Sequence, residues 1–204
     1  MDAAAISMIS DIVIGVCALF VAIIAFLGLQ TWRKELTGRA KFDVARTVMR
    51  LCLKLTRGFG AARDPFTSYI ECTGRLRQEH ESPSVSQVLD EWYARAKRLE
   101  PLHEDLIKIQ EAAWEAEILF EQDLGKQVSE TVKIYRSSFA ELSSAIYSHF
   151  TTRRDEVTKG SVFQDQDWLT ALHKEIYSIG GDDFSKRIEE ATTKLRQALQ
   201  IYVK

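Results

Sequence analysis

Proline is scarce in this sequence, with three residues in 204, the first at position 65. Without helix breakers, the chain before Asp64 can form one uninterrupted helix. Glycine numbers only 10, and no stretch alternates apolar and polar residues with a two-residue period, which argues against a turn-rich β fold. Cysteine also numbers three. Cys17, Cys52 and Cys72 form no CxxC and no Cys/His cluster, so neither a zinc site nor a disulfide framework is indicated. An excess of one charge is missing too: 27 Lys and Arg against 29 Asp and Glu leave a net charge of −2, no basis for specific nucleic-acid binding. Gly-rich phosphate loops and nucleophile elbows do not occur. His149 and His173 stand alone on helical segments, and Glu111, Glu115 and Glu117 have no Glu-x-x-His companion. No metal and no cofactor is expected.

What the chain does have is one long run without charge, Ile12 to Leu29. As a helix it rises roughly 27 Å, close to the hydrocarbon thickness of a bilayer. A cleaved signal peptide would begin with basic residues; here Asp2 and Asp11 are the only charges on that side. Behind the run, Arg33, Lys34, Arg39 and Lys41 follow Trp32. The positive-inside rule therefore places the N-terminus outside and the rest in the cytoplasm, a single-pass arrangement in a bacterial inner membrane with the lipid bilayer as first partner. Gly15, Ala18, Ala22 and Ala25 recur at spacings of three and four, with Asp11 on the same stripe. Small faces of this kind let membrane helices approach closely, which predicts a homo-oligomer. The basic residues behind the span would meet lipid headgroups or line a vestibule.

The predicted fold class is all-α: an N-terminal transmembrane helix continuing into a cytoplasmic antiparallel helical bundle. The organisation is read as a tail and span over 1–31, a basic helical stem over 32–64 and the bundle over 65–204. In the stem, Leu36, Ala40, Val44, Val48, Leu51 and Leu55 form an amphipathic stripe that ends near Gly58 and Gly60. Residues 30–63 hold nine Lys and Arg against Glu35 and Asp43, a net +7. A short helix is expected over about Phe66–Arg77, then a long one opened by a Ser84/Gln87 capping box. That helix runs to about Asp123, with Pro101 as a kink or split and Val88, Leu89, Trp92, Leu99, Leu102, Leu106, Ile109, Ala113 and Leu119 inward. It is acidic, net −6 over 84–123, and so a natural packing partner for the stem. Gly125 marks a turn or kink before a helix through Tyr135 and Phe150 to about Thr158. Trp168–Ser178 and Phe184–Val203 complete the set, the last capped by Asp182 or Asp183.

Chemistry has one candidate spacing, Arg-x4-His, at Arg75/His80 and Arg98/His103. In helical HEPN ribonucleases such a pair supplies phosphate stabilisation and a general acid or base. Leu76 and Leu99 stand where that signature often carries a polar residue. An enzyme is not the expectation. The segment WRKELTGRAKFDVARTVMRLCLKLTRGFGAARDPF, and AWEAEILFEQDLG further on, resemble a group of bacterial single-span membrane proteins to which no activity is attached. In layout the chain is also similar to the small HEPN-like membrane accessory protein of RNA-targeting CRISPR loci. That resemblance implies ring-shaped assembly, membrane perturbation and a phage-defence or stress setting. The expected function is a homo-oligomeric single-span protein that forms or gates a membrane pore. The alternatives are a membrane-tethered HEPN-like ribonuclease and a membrane-anchored module that binds an unidentified protein partner.

Overall fold

The computed structural model describes residues 3–160, 166–178 and 181–203, with side chains from Ile14 onward and, after the first gap, from Asp167. Among the described residues there are six helices and no strand: α1 (Ala3–Ala62), α2 (Tyr69–Cys72), α3 (Pro83–Leu119), α4 (Gln122–Lys159), α5 (Gln166–Ile176) and α6 (Asp183–Val203). Two compact units are formed, Met1–Asp43 and Val44–Lys204. The boundary falls inside α1, within the segment read from sequence as one stem.

The first unit contains the one helix stretch, among the described residues, that is long and apolar enough to cross a membrane. Its large side chains are exposed, Ile14 at 63% and Phe26 at 60%. Leu36 and Phe42 are exposed as well, so the amphipathic stripe expected from Leu36 becomes buried only from Val44.

The second unit is built around the C-terminal part of α1. Val44, Val48, Leu51, Leu55 and Phe59 recur at helical spacing and are all buried. Arg46, Arg50, Lys54 and Arg57 keep the opposite face exposed, as an amphipathic helix requires. Phe59 stacks on Tyr135 of α4 at 6.2 Å and meets Phe184 of α6 edge-on at 5.6 Å. Gly58 lies so close to α3 that a Cβ there would sit 2.6 Å from Leu102 Cδ2. The expected attraction between basic stem and acidic helix takes the form of a Lys54–Asp105 pair at 2.7 Å. Buried hydroxyls tie the centre together: Tyr135 Oη lies 2.6 Å from Thr192 Oγ1, which is 3.0 Å from Thr56 Oγ1.

α3 and α4 pack along their length. Their side-chain pairs are Glu117 with Ser129, Gln110 with Arg136, His103 with Phe139 and Glu91 with Arg153, so partner numbers rise on α4 as they fall on α3. Only Phe120 and Glu121 separate the two helices. The break therefore comes before Gly125, the expected turn. Gly125 is instead buried in the first turn of α4, where an added Cβ would lie 3.0 Å from the Glu117 backbone. At the other end α4 stops where expected, on Gly160 in the left-handed conformation (φ 66°).

Four further expectations are corrected. The helix over Phe66–Arg77 shrinks to Tyr69–Cys72, because local side chains satisfy the backbone first. Asp64 Oδ1 accepts the Phe66 N–H, and Ser68 and Glu71 form the capping box. The long helix opens two residues earlier than expected, with Ser82 rather than Ser84 as N-cap and Pro83 at N1. Pro101 does not split α3, which runs through it, and Trp92 is exposed rather than inward.

Arg63, the residue after α1, is 1% exposed. Its Nε donates to the Glu175 carbonyl at 2.8 Å and its Nη2 to those of Lys174 and Tyr177 at 2.7 and 3.2 Å. Nη1 and Nη2 also form a fork on Asp182 at 3.1 and 2.9 Å, and Nη1 reaches Ser185. Asp182 in turn accepts the Ser185 N–H at 2.8 Å and so caps α6. Burial pushes the Asp182 carboxyl up, but hydrogen bonds from Arg63 and Ser185 outweigh it and hold it at about 2. Removing one side of such a pair leaves buried acceptors without donors. Arg63→Ala is expected to cost roughly 3–5 kcal/mol of stability, read as a lower denaturation midpoint of the detergent-solubilised protein. Arg63→Lys, which cannot form the fork, should recover only a minor part.

Candidate functional site

The residues proposed from sequence to face other membrane helices lie on α1. Gly15, Ala18, Ala22 and Ala25 are all exposed, and nothing lies within 4 Å of a Cβ placed on Gly15. The side chain of Asp11 lies outside the described residues. Arg33, Lys34 and Arg39 are exposed, with Arg39 bonded to Glu35 at 2.9 Å, and Lys41 is half-buried.

The Arg-x4-His arginines are engaged in holding the chain between α1 and α3. Arg98 spends all five N–H donors: Nε and Nη2 on the Glu71 carboxylate, and Nη1 and Nη2 on the carbonyls of Ala61, Asp64 and Phe66. Arg75 grips Glu81 through two parallel bonds, 2.9 and 2.7 Å, and reaches Asp90 and Ser86. These contacts hold the carboxyls of Glu71 and Glu81 well below the usual range, each at about 2. His80 is exposed in a turn, and His103 is exposed on α3 with its ring 5.8 Å from Phe139.

A different group of polar side chains converges where α3, α4 and α5 meet. His149 and His173, 24 positions apart in sequence, have ring centroids 4.7 Å apart. Tyr177 stands 5.2 Å from His173 and 6.3 Å from His149, and the Arg95 guanidinium lies over the Tyr177 ring at 4.5 Å. His149 is 1% exposed and neither ring nitrogen has a hydrogen-bond partner. Burial lowers its pKa from 6.5 to about 4, helped by the charges of His173, Arg153 and Arg95. The imidazole is thus held neutral inside a cationic neighbourhood.

Arg95 itself is 2% exposed. Its Nη1 and Nη2 reach the carbonyls of Ala62 and Pro65, at 3.3 and 3.5 Å, Glu91 and Tyr177 favour its charge from nearby, and its Nε has no partner. Burial pushes its pKa down. Arg95 and Tyr177 form part of a cleft of about 760 Å³, shared with Arg153, Arg77, Phe66 and Tyr69. Sequence reading missed this group because no two of its members share a spacing that signals a site. The one available signal was Arg95 itself, which follows the buried Ala94 at the start of the inward stripe of α3. Among the described residues no cluster of His, Cys, Asp and Glu is arranged to hold a metal.

The sign of the His149 shift fixes a pH effect. Between pH 6.5 and about 4 the unfolded chain binds a proton at this position that the folded chain refuses, so stability falls as pH drops through that window. The loss should be on the order of 3 kcal/mol by denaturant titration at pH 7 and pH 4. His149→Leu should flatten it. A second loss, below about pH 4.5, belongs to Glu71 and Glu81 and should persist in that variant. The chain matches no protein-family profile, no curated protein and no solved structure.

Proposed function

We propose that this is a single-span protein of a bacterial inner membrane that works as a homo-oligomer. In this reading Ile12–Leu29 crosses the bilayer, the N-terminus is outside, and Val44–Lys204 forms an antiparallel helical bundle in the cytoplasm. The observation that carries it is the change of pattern along α1. From Ile14 to Leu29 the helix is apolar on every side and exposed, which suits an apolar solvent. The exposed Arg33, Lys34 and Arg39 follow, placed for anionic headgroups. From Val44 the same helix becomes one-sided and buries its stripe in a protein core.

Assembly rests on the small face. Gly15, Ala18, Ala22 and Ala25 leave room on one side of the span for a second helix. A single helix cannot enclose a channel, so the pore-forming or membrane-perturbing role depends on this association. A phage-defence or stress setting fits such an effector. A second reading, a tethered module that binds a ligand or protein, is favoured by the cleft at Arg95. The ribonuclease reading is the weaker, since Arg75 and Arg98 are spent on carboxylates and carbonyls.

Ala18→Leu/Ala22→Leu preserves hydropathy and insertion but blocks close approach. An assembling span should lose its oligomer, read as the mass of the detergent-solubilised protein; a wild-type monomer at micromolar concentration overturns the proposal. A reporter fused after Lys204 should be active on the cytoplasmic side.

A further inference from the structure

We propose that the cleft between α3 and the segment preceding it binds a small organic phosphate with a flat aromatic body, the chemistry of a nucleotide. The proposal is independent of the oligomeric reading of the span. It starts from a buried arginine that no carboxylate hydrogen-bonds: Glu91 and Glu71 act on Arg95 only through space, and the Tyr177 side chain is its near polar neighbour. Arg63, Arg75 and Arg98 each grip a carboxylate. Arg95 is as deeply buried as Arg63, yet among the described residues no carboxylate hydrogen-bonds it, its Nε is unpartnered, and its two carbonyl contacts are long. A buried cation in this condition is costly, and an anion arriving beside it removes the cost.

The cleft supplies the rest of such a site. Arg153 sits at its edge with only part of its fork used, one bond at 3.1 Å to Glu91. Arg77 contributes a third guanidinium, paired with Asp90. The two acidic residues in the lining, Asp90 and Glu91, are therefore hydrogen-bonded to other arginines, and Glu91 reaches Arg95 only through space. Paired guanidiniums around one unpaired one suit a phosphate, which accepts bidentate bonds. Aromatic rings border the same space: Tyr177 is half-buried against Arg95, and Phe66 and Tyr69 are exposed at 83% and 77%. Large rings left open beside a cationic floor offer a stacking surface for a planar base. A volume of about 760 Å³ lies within the range of small-ligand pockets.

The test uses the full chain in detergent micelles, titrated by calorimetry with AMP, adenosine and inorganic phosphate. AMP should bind saturably and more tightly than either fragment, because only it engages both the arginines and the rings. Tyr69→Ala and Arg153→Ala alter exposed or half-buried side chains and should leave the melting temperature unchanged, while each weakens AMP roughly fivefold or more. Arg95→Leu should abolish binding, and the two outer variants carry the test if it does not fold. Absence of saturable AMP binding at millimolar concentration overturns the proposal. So does equal affinity for AMP and inorganic phosphate, or an AMP affinity that neither outer variant changes.

Discussion

The fold of the Val44–Lys204 unit hangs on one buried guanidinium. Arg63 lies where α1 ends, and its donors are divided between the last carbonyls of α5 and the carboxylate that caps α6. Both destinations are helix termini whose backbone groups need partners from outside the helix. The cation meets the negative end of one helix dipole and the aspartate faces the positive end of the other. A single side chain thus ties the end of α1 to α5 and α6, more than a hundred residues further along the chain. The Ser178 N–H returns a bond to the Arg63 carbonyl at 2.9 Å, which locks the α5 exit from the other side. Arg63 also stacks over Phe184 at 4.3 Å, and Phe184 packs on Phe59. The hydrophobic core and the polar hub are therefore one structure.

The position of the candidate cleft follows from that hub. Arg63 binds the Tyr177 carbonyl, and the Tyr177 ring lies under Arg95 and beside both histidines. Displacing the end of α5 would remove a wall of the cleft and open His149 to water at once.

How much of this was legible in the sequence depends on the kind of interaction. Periodicity located five of the helices, because burial of Val128, Val132, Tyr135 and Leu142, or of Ile188, Leu195 and Leu199, imposes a 3.6-residue repeat. Terminators with local chemistry, Gly160 and Asp182, were also legible. The segment from Asp64 to Ser82 was not. Its composition permits a helix, but its order comes from Arg75 and Arg98 reaching across from and onto α3, and such partners leave no spacing in the sequence. The same blindness worked in reverse for the Arg-x4-His pairs, whose arginines have structural partners, whereas His149 and His173 met only through the packing of α4 on α5.

The treatment of charge inside this domain separates scaffold from site. A folded chain that buries an arginine normally gives it an anion, and here Arg63, Arg75 and Arg98 obey that rule with carboxylates drawn from 6 to 119 residues away. Asp90 and Glu91 line the same cleft as Arg95 and are hydrogen-bonded to other arginines. The neighbouring His149 is held neutral chiefly by burial, with the charges of His173, Arg153 and Arg95 adding to it. One unpaired cation and one imidazole without hydrogen bonds, 4.5 and 6.3 Å from a shared tyrosine ring, are two costs in one place. Packing alone would remove them with two apolar side chains. Of the two only Arg95 lines the cleft, and on the proposed reading an anion from outside the chain meets its cost.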